Sequence, residues 1–201
     1  MNKQEYKYLI KNQNVFLDLG CGKDKKPGCL GLDIVPGDNV DIVIDIAENS
    51  LPFDDNSVDG VYSNNFFEHI PFNYKKEHKE RIYEPLFWVM EEVWRVCKDK
   101  AIIEIIVPHS SGHMAPNCDH ARYYNGFGLD THEGMSFDIG MKADFKVVKT
   151  SLLLYKGLQV WNYLIEPLLN INEWTLSLYE TTILKALFPA RQVKFELQVK
   201  K

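Results

Sequence analysis

No apolar run in the sequence approaches the roughly 20 residues that cross a bilayer. The opening segment, MNKQEYKYLIKNQNV, is polar and holds no signal-peptide core. Positive charge is also short: the net charge is −5, which argues against a broad nucleic-acid-binding surface. Cysteine is sparse, and Cys21, Cys29, Cys97 and Cys118 show neither a disulfide framework nor a CxxC spacing. No internal repeat or low-complexity linker interrupts the chain. These absences argue against a helical membrane span, a secreted disulfide scaffold and a repeat array. A reduced, cytoplasmic protein without membrane contact is the expectation.

What is present suffices for one core: 201 residues, 45% of them hydrophobic. Short apolar runs bounded by Gly, Pro, Asp or Asn predict strands at Val15–Leu19, Leu30–Ile34, Val40–Ile44, Val58–Ser63 and Ala101–Val107. Residues 73–96 read as helical, with Ile82, Leu86, Val89 and Val93 on one stripe and a kink or restart where Pro85 falls. Alternating strands and helices predict an α/β sheet, mostly parallel, with helices on both faces. FKVVKTSLLLY predicts a further strand, and residues 158–187 predict two helices. The chain closes on QVKFELQVK, whose strict alternation puts Val193, Phe195, Leu197 and Val199 on one face of an antiparallel last strand.

The stretch FLDLGCGKDKKPGCLGLDI carries the chemistry. Its first strand ends in Asp18-x-Gly20-x-Gly22, a tight turn whose backbone can approach a ligand closely because glycine has no Cβ. Two carboxylates follow at fixed places, Asp33 at the end of strand two and Asp45 after strand three. An acid at the end of strand two can accept both ribose hydroxyls of a nucleoside bound outside the carboxyl ends of the strands.

These motifs resemble those of the class I S-adenosylmethionine-dependent methyltransferases. The match spans roughly residues 15–107 and comprises FLDLGCG, LDI, DIAENSLPFDDNSVDGVYSNNFFEHI and their order. The resemblance implies a Rossmann-like methyltransferase domain over 1–201, with a cofactor half (1–107) and an acceptor-side half (108–201) that carries the helical insertion. It implies S-adenosyl-L-methionine as cofactor. Asp18, Gly20, Cys21 and Gly22 then surround the methionine portion, Asp33 and Ile34 meet the ribose, Asp45 and Ile46 lie by the adenine, and Asn64 and Asn65 sit beside the methyl. Simpler roles stay open for two of them: Asp18 as an acceptor for loop amides, and Asp45 as a cap for the next turn.

The departure is a missing helix. A parallel crossover takes about a dozen residues or more, and only Gly20 to Cys29 separates the first two strands. GxGxxG is also absent, which disfavours NAD or FAD, whose pyrophosphate uses a full helix N-terminus. Lys23, Lys25 and Lys26 are candidates to meet the cofactor carboxylate in the helix's place, or else form a solvated charge run.

Methyl transfer needs a base only when the acceptor must lose a proton. His109, just after the fifth strand, is the first candidate, followed by His69 and His120; Glu68-His69 also has a structural reading at the edge of the cofactor site. His109, His113, Cys118 and His120 match no standard zinc spacing, so no metal is assigned. Arg122 and Tyr123 are candidates to shape the acceptor pocket. The 158–187 helices could cover that pocket, form a homodimer surface, or pack as core. The leading expectation is methyl transfer to a small-molecule acceptor. The alternatives are a silent cofactor-binding protein and an RNA or protein methyltransferase. Ser63-Asn64-Asn65-Phe66, in place of Asn/Asp-Pro-Pro-Tyr, argues against amino-base methylation of nucleic acids.

Overall fold

The computed structural model describes residues 14–71, 76–78, 81–83, 85–128, 142–157 and 159–201. The first half holds strands β1 (Phe16–Leu19), β2 (Leu30–Asp33), β3 (Ile42–Val43), β4 (Val58–Asn64), β5 (Lys76–His78) and β6 (Arg81–Tyr83). Helix α1 (Pro85–Val96) leads into β7 (Cys97–Pro108), and β8 (Asp144–Leu154) follows. Helices α2 (Asn162–Leu169), α3 (Glu173–Thr181) and α4 (Leu184–Leu187) precede the last strand, β9 (Ala190–Lys200).

Seven strands form one sheet in the order β3-β2-β1-β4-β7-β9-β8. The first five are parallel neighbours, and β9 runs antiparallel to both β7 and β8. One row crosses the sheet in register: Leu30, Leu17, Val61, Ile103 and Leu197. It packs in a single core with Val89, Met90, Val93 and Val96 of α1, all of them fully buried. The alternation predicted for the last strand holds, since Val193, Phe195, Leu197 and Val199 are all buried. The opposite face of the sheet is half-exposed and polar. Phe16 and Ile102 are each 42% exposed there. Tyr62 and Glu104 share the centre of that face with Lys26, whose Nζ lies 3.7 Å from the Tyr62 ring centroid and 3.1 Å from Glu104.

The helix predicted over 73–96 is shorter than expected. Pro85 is its first residue, a place where the fixed φ and missing N–H cost nothing. Inside a continuous helix the same ring would clash with the carbonyl four residues back. Upstream, 76–78 and 81–83 pair as an antiparallel hairpin instead; residues 73–75, 79, 80 and 84 lie outside the described ones.

The 158–187 region forms three helices rather than two. Asn172 and Thr175 make a capping box that starts α3: Asn172 Oδ1 accepts from Thr175 N at 3.0 Å, and Thr175 Oγ1 accepts from Asn172 N at 3.2 Å. Ordinary core packing does not describe these helices. Leu164 is 75% exposed and Trp174 69%, and the anchorage is a small cluster of Leu169, Leu176 and Tyr179 on Leu152, Leu154 and Ala190. Among the described residues, no helix is long and apolar enough to cross a membrane.

Candidate functional site

A cleft of about 700 Å³ opens at the carboxyl ends of β1, β2 and β3. The turn after β1 forms one wall. Gly20 has φ +68°, and its N–H donates to Leu32 O at 2.8 Å, drawing the turn against β2. A Cβ at Gly20 would meet Phe66 Cβ at 2.5 Å, so only glycine fits. Gly22 donates its N–H to Asp33 Oδ2 at 2.9 Å, and Val35 N donates to Oδ1 at 2.9 Å. The Asp33 carboxylate is thereby fixed by an amide on each oxygen while facing the cleft. Each oxygen retains a second lone-pair direction for a hydroxyl donor.

The structure brings together Gly20, Gly22, Asp33, Ile34, Asp45, Ile46, Asn65 and His69 along the cleft. Asp45 does two things. It lines the cleft, and its Oδ1 accepts from Ala47 N at 3.0 Å, capping the turn that follows. Phe66 and Asp119 also line the cleft; Phe66 lies inside the matched stretch, but its part in the wall was not legible there because its contact with Gly20 spans 46 positions of sequence.

Four expected cofactor residues fall elsewhere. Asp18 is buried and accepts from Lys26 N at 2.7 Å, which is the loop-amide role. Burial pushes its carboxyl above the ordinary value despite that hydrogen bond and the nearby lysines. Cys21 is buried with its Sγ 3.8 Å from Asn39 O, and burial pushes the thiol up to about 11. Lys25 pairs with Asp41 at 2.8 Å, and Asp41 also accepts from Gly31 N at 2.7 Å. Asn64 Oδ1 accepts from Gln192 Nε2 at 3.2 Å, as does Asn65 Oδ1 at 2.9 Å. Asp18, Lys25 and Lys26 thus replace the missing first helix: they tie the loop to β2, β3 and the polar face of the sheet.

His109 sits at the carboxyl end of β7, but it is fully buried and does not line the cleft. Its Nδ1 accepts from Ser111 N at 3.1 Å, and its Nε2 donates to Glu180 Oε1 at 2.8 Å. With both nitrogens occupied, it clamps α3 to the end of the sheet. Glu180 also accepts from Gly126 N. Burial raises the Glu180 carboxyl, but the His109 contact, the Gly126 N–H and the charge of Lys185 together outweigh it and hold the group below its usual value. The four residues considered for zinc do not converge: His113 bonds Tyr155, Cys118 is exposed, and His120 stacks edge-on against His69 with ring centroids 4.9 Å apart. Arg122 is buried and donates to the carbonyls of Ile70 and Pro71 at 2.9 and 3.0 Å. Tyr123 is exposed.

Glu68 has a place that its motif did not disclose. It is 1% exposed, and neither carboxylate oxygen has a hydrogen-bond partner among the described residues. Burial pushes its carboxyl up to about 7, and the charge of Asp119 adds to the shift. An unmet buried polar group costs about 1–3 kcal/mol.

No protein-family model and no curated protein matches the chain. Solved structures do. The YcgJ protein from Bacillus subtilis aligns with a TM-score of 0.51 at 15% identity, over 100% of this chain and 99% of its own. A SAM dependent methyltransferase from Archaeoglobus fulgidus aligns with a TM-score of 0.51 at 17% identity, over 97% of this chain and 90% of its own. The [4+2]-cyclase SpnF aligns with a TM-score of 0.51 at 12% identity, over 98% of this chain and 80% of its own. Together with the strand order and the single antiparallel strand, these likenesses show that the chain has the class I S-adenosylmethionine-dependent methyltransferase fold.

Proposed function

We propose that the protein binds S-adenosylmethionine in the cleft and transfers its methyl group to a small-molecule acceptor. The observation that carries this reading is Asp33: a carboxylate at the end of β2, fixed by the amides of Gly22 and Val35 and facing the cleft. That acceptor fits a ribose, since a fixed carboxylate accepts from two vicinal hydroxyls. The volume of about 700 Å³ also lies in the range of small-molecule sites. Ile34 and Ile46 offer apolar walls for a base beside Asp45, and the Gly20–Gly22 turn brings bare backbone toward the amino-acid end. Asn65 and His69 line the part of the cleft assigned to the reacting methyl.

When bound, the cofactor supplies an electrophilic sulfonium methyl. The chain's own part is to position the acceptor and exclude water, which can provide most of the acceleration of an in-line displacement. Where the acceptor must lose a proton, His69 is the candidate that lines the cleft. The likeness to SpnF, named as a cyclase, favours keeping a second reading in which the pocket binds cofactor without methyl transfer. Incubation with methyl-labelled cofactor and a metabolite extract separates the two. Label in a small molecule, with an equal yield of S-adenosylhomocysteine, supports the enzyme. Binding with no S-adenosylhomocysteine formed supports the second reading, and no binding refutes both.

A further inference from the structure

Among the described residues, Glu68, His69 and His120 each offer one ligand atom, and these atoms lie within 4.8 Å of one another. Three independent features bear on this group. First, both Glu68 oxygens are buried and have no partner among the described residues, an arrangement that is costly unless something positive or protic is present. Second, each imidazole is oriented through Nδ1. His69 Nδ1 lies 3.2 Å from Asp119 O, and His120 Nδ1 lies 2.9 Å from Ala115 O. A carbonyl can only accept, so Nδ1 carries the proton in both rings and Nε2 presents its lone pair. Metal-ligating histidines are held in this way. Third, His69 and the adjacent Asp119 line the cleft, which puts the group at its rim.

We propose that Glu68, His69 and His120 form a binding site for a divalent transition-metal ion, with zinc as the representative. Two imidazoles and one carboxylate are a donor set for zinc or another first-row ion rather than for magnesium or calcium, and three protein ligands leave a position open. Ligands on a tetrahedral zinc at about 2.1 Å are about 3.4 Å apart, so closing the set requires a contraction of about 1.4 Å or less. His69, whose side chain is 38% exposed, has the room to move. On the methyltransferase reading above, the open position takes an oxygen of the acceptor and lowers its pKa, with His69 acting as ligand rather than base. That step rests on the earlier reading, whereas zinc binding does not, so the two fail separately.

Zinc titrated calorimetrically into the full chain, without cofactor, tests the site. One zinc is expected to bind per chain. Glu68→Gln and His120→Asn, which keep shape and the Ala115 hydrogen bond respectively, are each expected to weaken binding about tenfold or more. Cys118→Ser and His113→Ala are expected to bind as wild type. Absence of zinc binding, binding that survives Glu68→Gln, or binding lost in Cys118→Ser overturns the proposal. If Glu68→Gln does not fold, the zinc-induced rise in melting temperature of wild type against His120→Asn decides instead.

Discussion

Replacing Gly20 with alanine attacks the turn on which the cleft depends, and the structure sets the size of the loss. Gly20 has φ +68°, where an L residue costs about 1–2 kcal/mol. The new Cβ also meets Phe66 Cβ at 2.5 Å. Overpacking of that kind costs about 1–3 kcal/mol. The sum is about 2–5 kcal/mol. Gly22 provides the internal control. Its φ is +50°, but a Cβ there meets nothing within 4 Å, so Gly22→Ala is expected to cost only the conformational term, about 1–2 kcal/mol. Urea unfolding followed by the fluorescence of the four tryptophans measures both. Phe66→Gly in the Gly20→Ala background removes both the Cβ and the ring that crowd the new methyl, so the double mutant is expected to lose less than the sum of the singles. Equal losses for the two glycine variants, or strict additivity with Phe66→Gly, would refute the reasoning.

Three further outcomes follow. Glu180 has a depressed carboxyl, so its contribution is fully present above the ordinary carboxylate range and is lost as pH falls through its lowered folded value. Melting curves against pH are therefore expected to fall more steeply in acid for wild type than for Glu180→Gln, and parallel curves would contradict the clamp. Ile103→Ala, at a fully buried position of the sheet, is expected to cost about 2–5 kcal/mol in urea unfolding; a loss near zero would mean the core is misplaced. Lys25→Ala is expected to cost less than about 1 kcal/mol, since its pair with Asp41 is partly exposed, and to leave cofactor affinity unchanged. A clear loss of affinity on titration would return Lys25 to the cleft.

Local signals carried most of the sheet. The last strand was legible because its alternation needs one buried face, and Val193, Phe195, Leu197 and Val199 supply it. The glycine turn and Asp33 were legible because both lie at strand ends, where spacing fixes position. The helix over 73–96 was overextended because Ile82 continues the apolar stripe by chance across Pro85, and the stripe does not encode the hairpin pairing of 76–78 with 81–83. His109 was misjudged for a different reason. The carboxyl end of a strand gives a location, but the occupant of its Nε2 comes from Glu180, 71 residues away. Glu68 was hidden in the same way, since burial of both oxygens depends on packing between distant segments.

The central claim is that Asp33 holds the ribose of S-adenosylmethionine. Isothermal titration of S-adenosylmethionine and S-adenosylhomocysteine into wild type and Asp33→Ala tests it most directly. The account predicts that wild type binds both ligands and that the variant binds them more weakly by about 1–3 kcal/mol, or about 5- to 150-fold. No binding by wild type, or undiminished binding by Asp33→Ala, would contradict it.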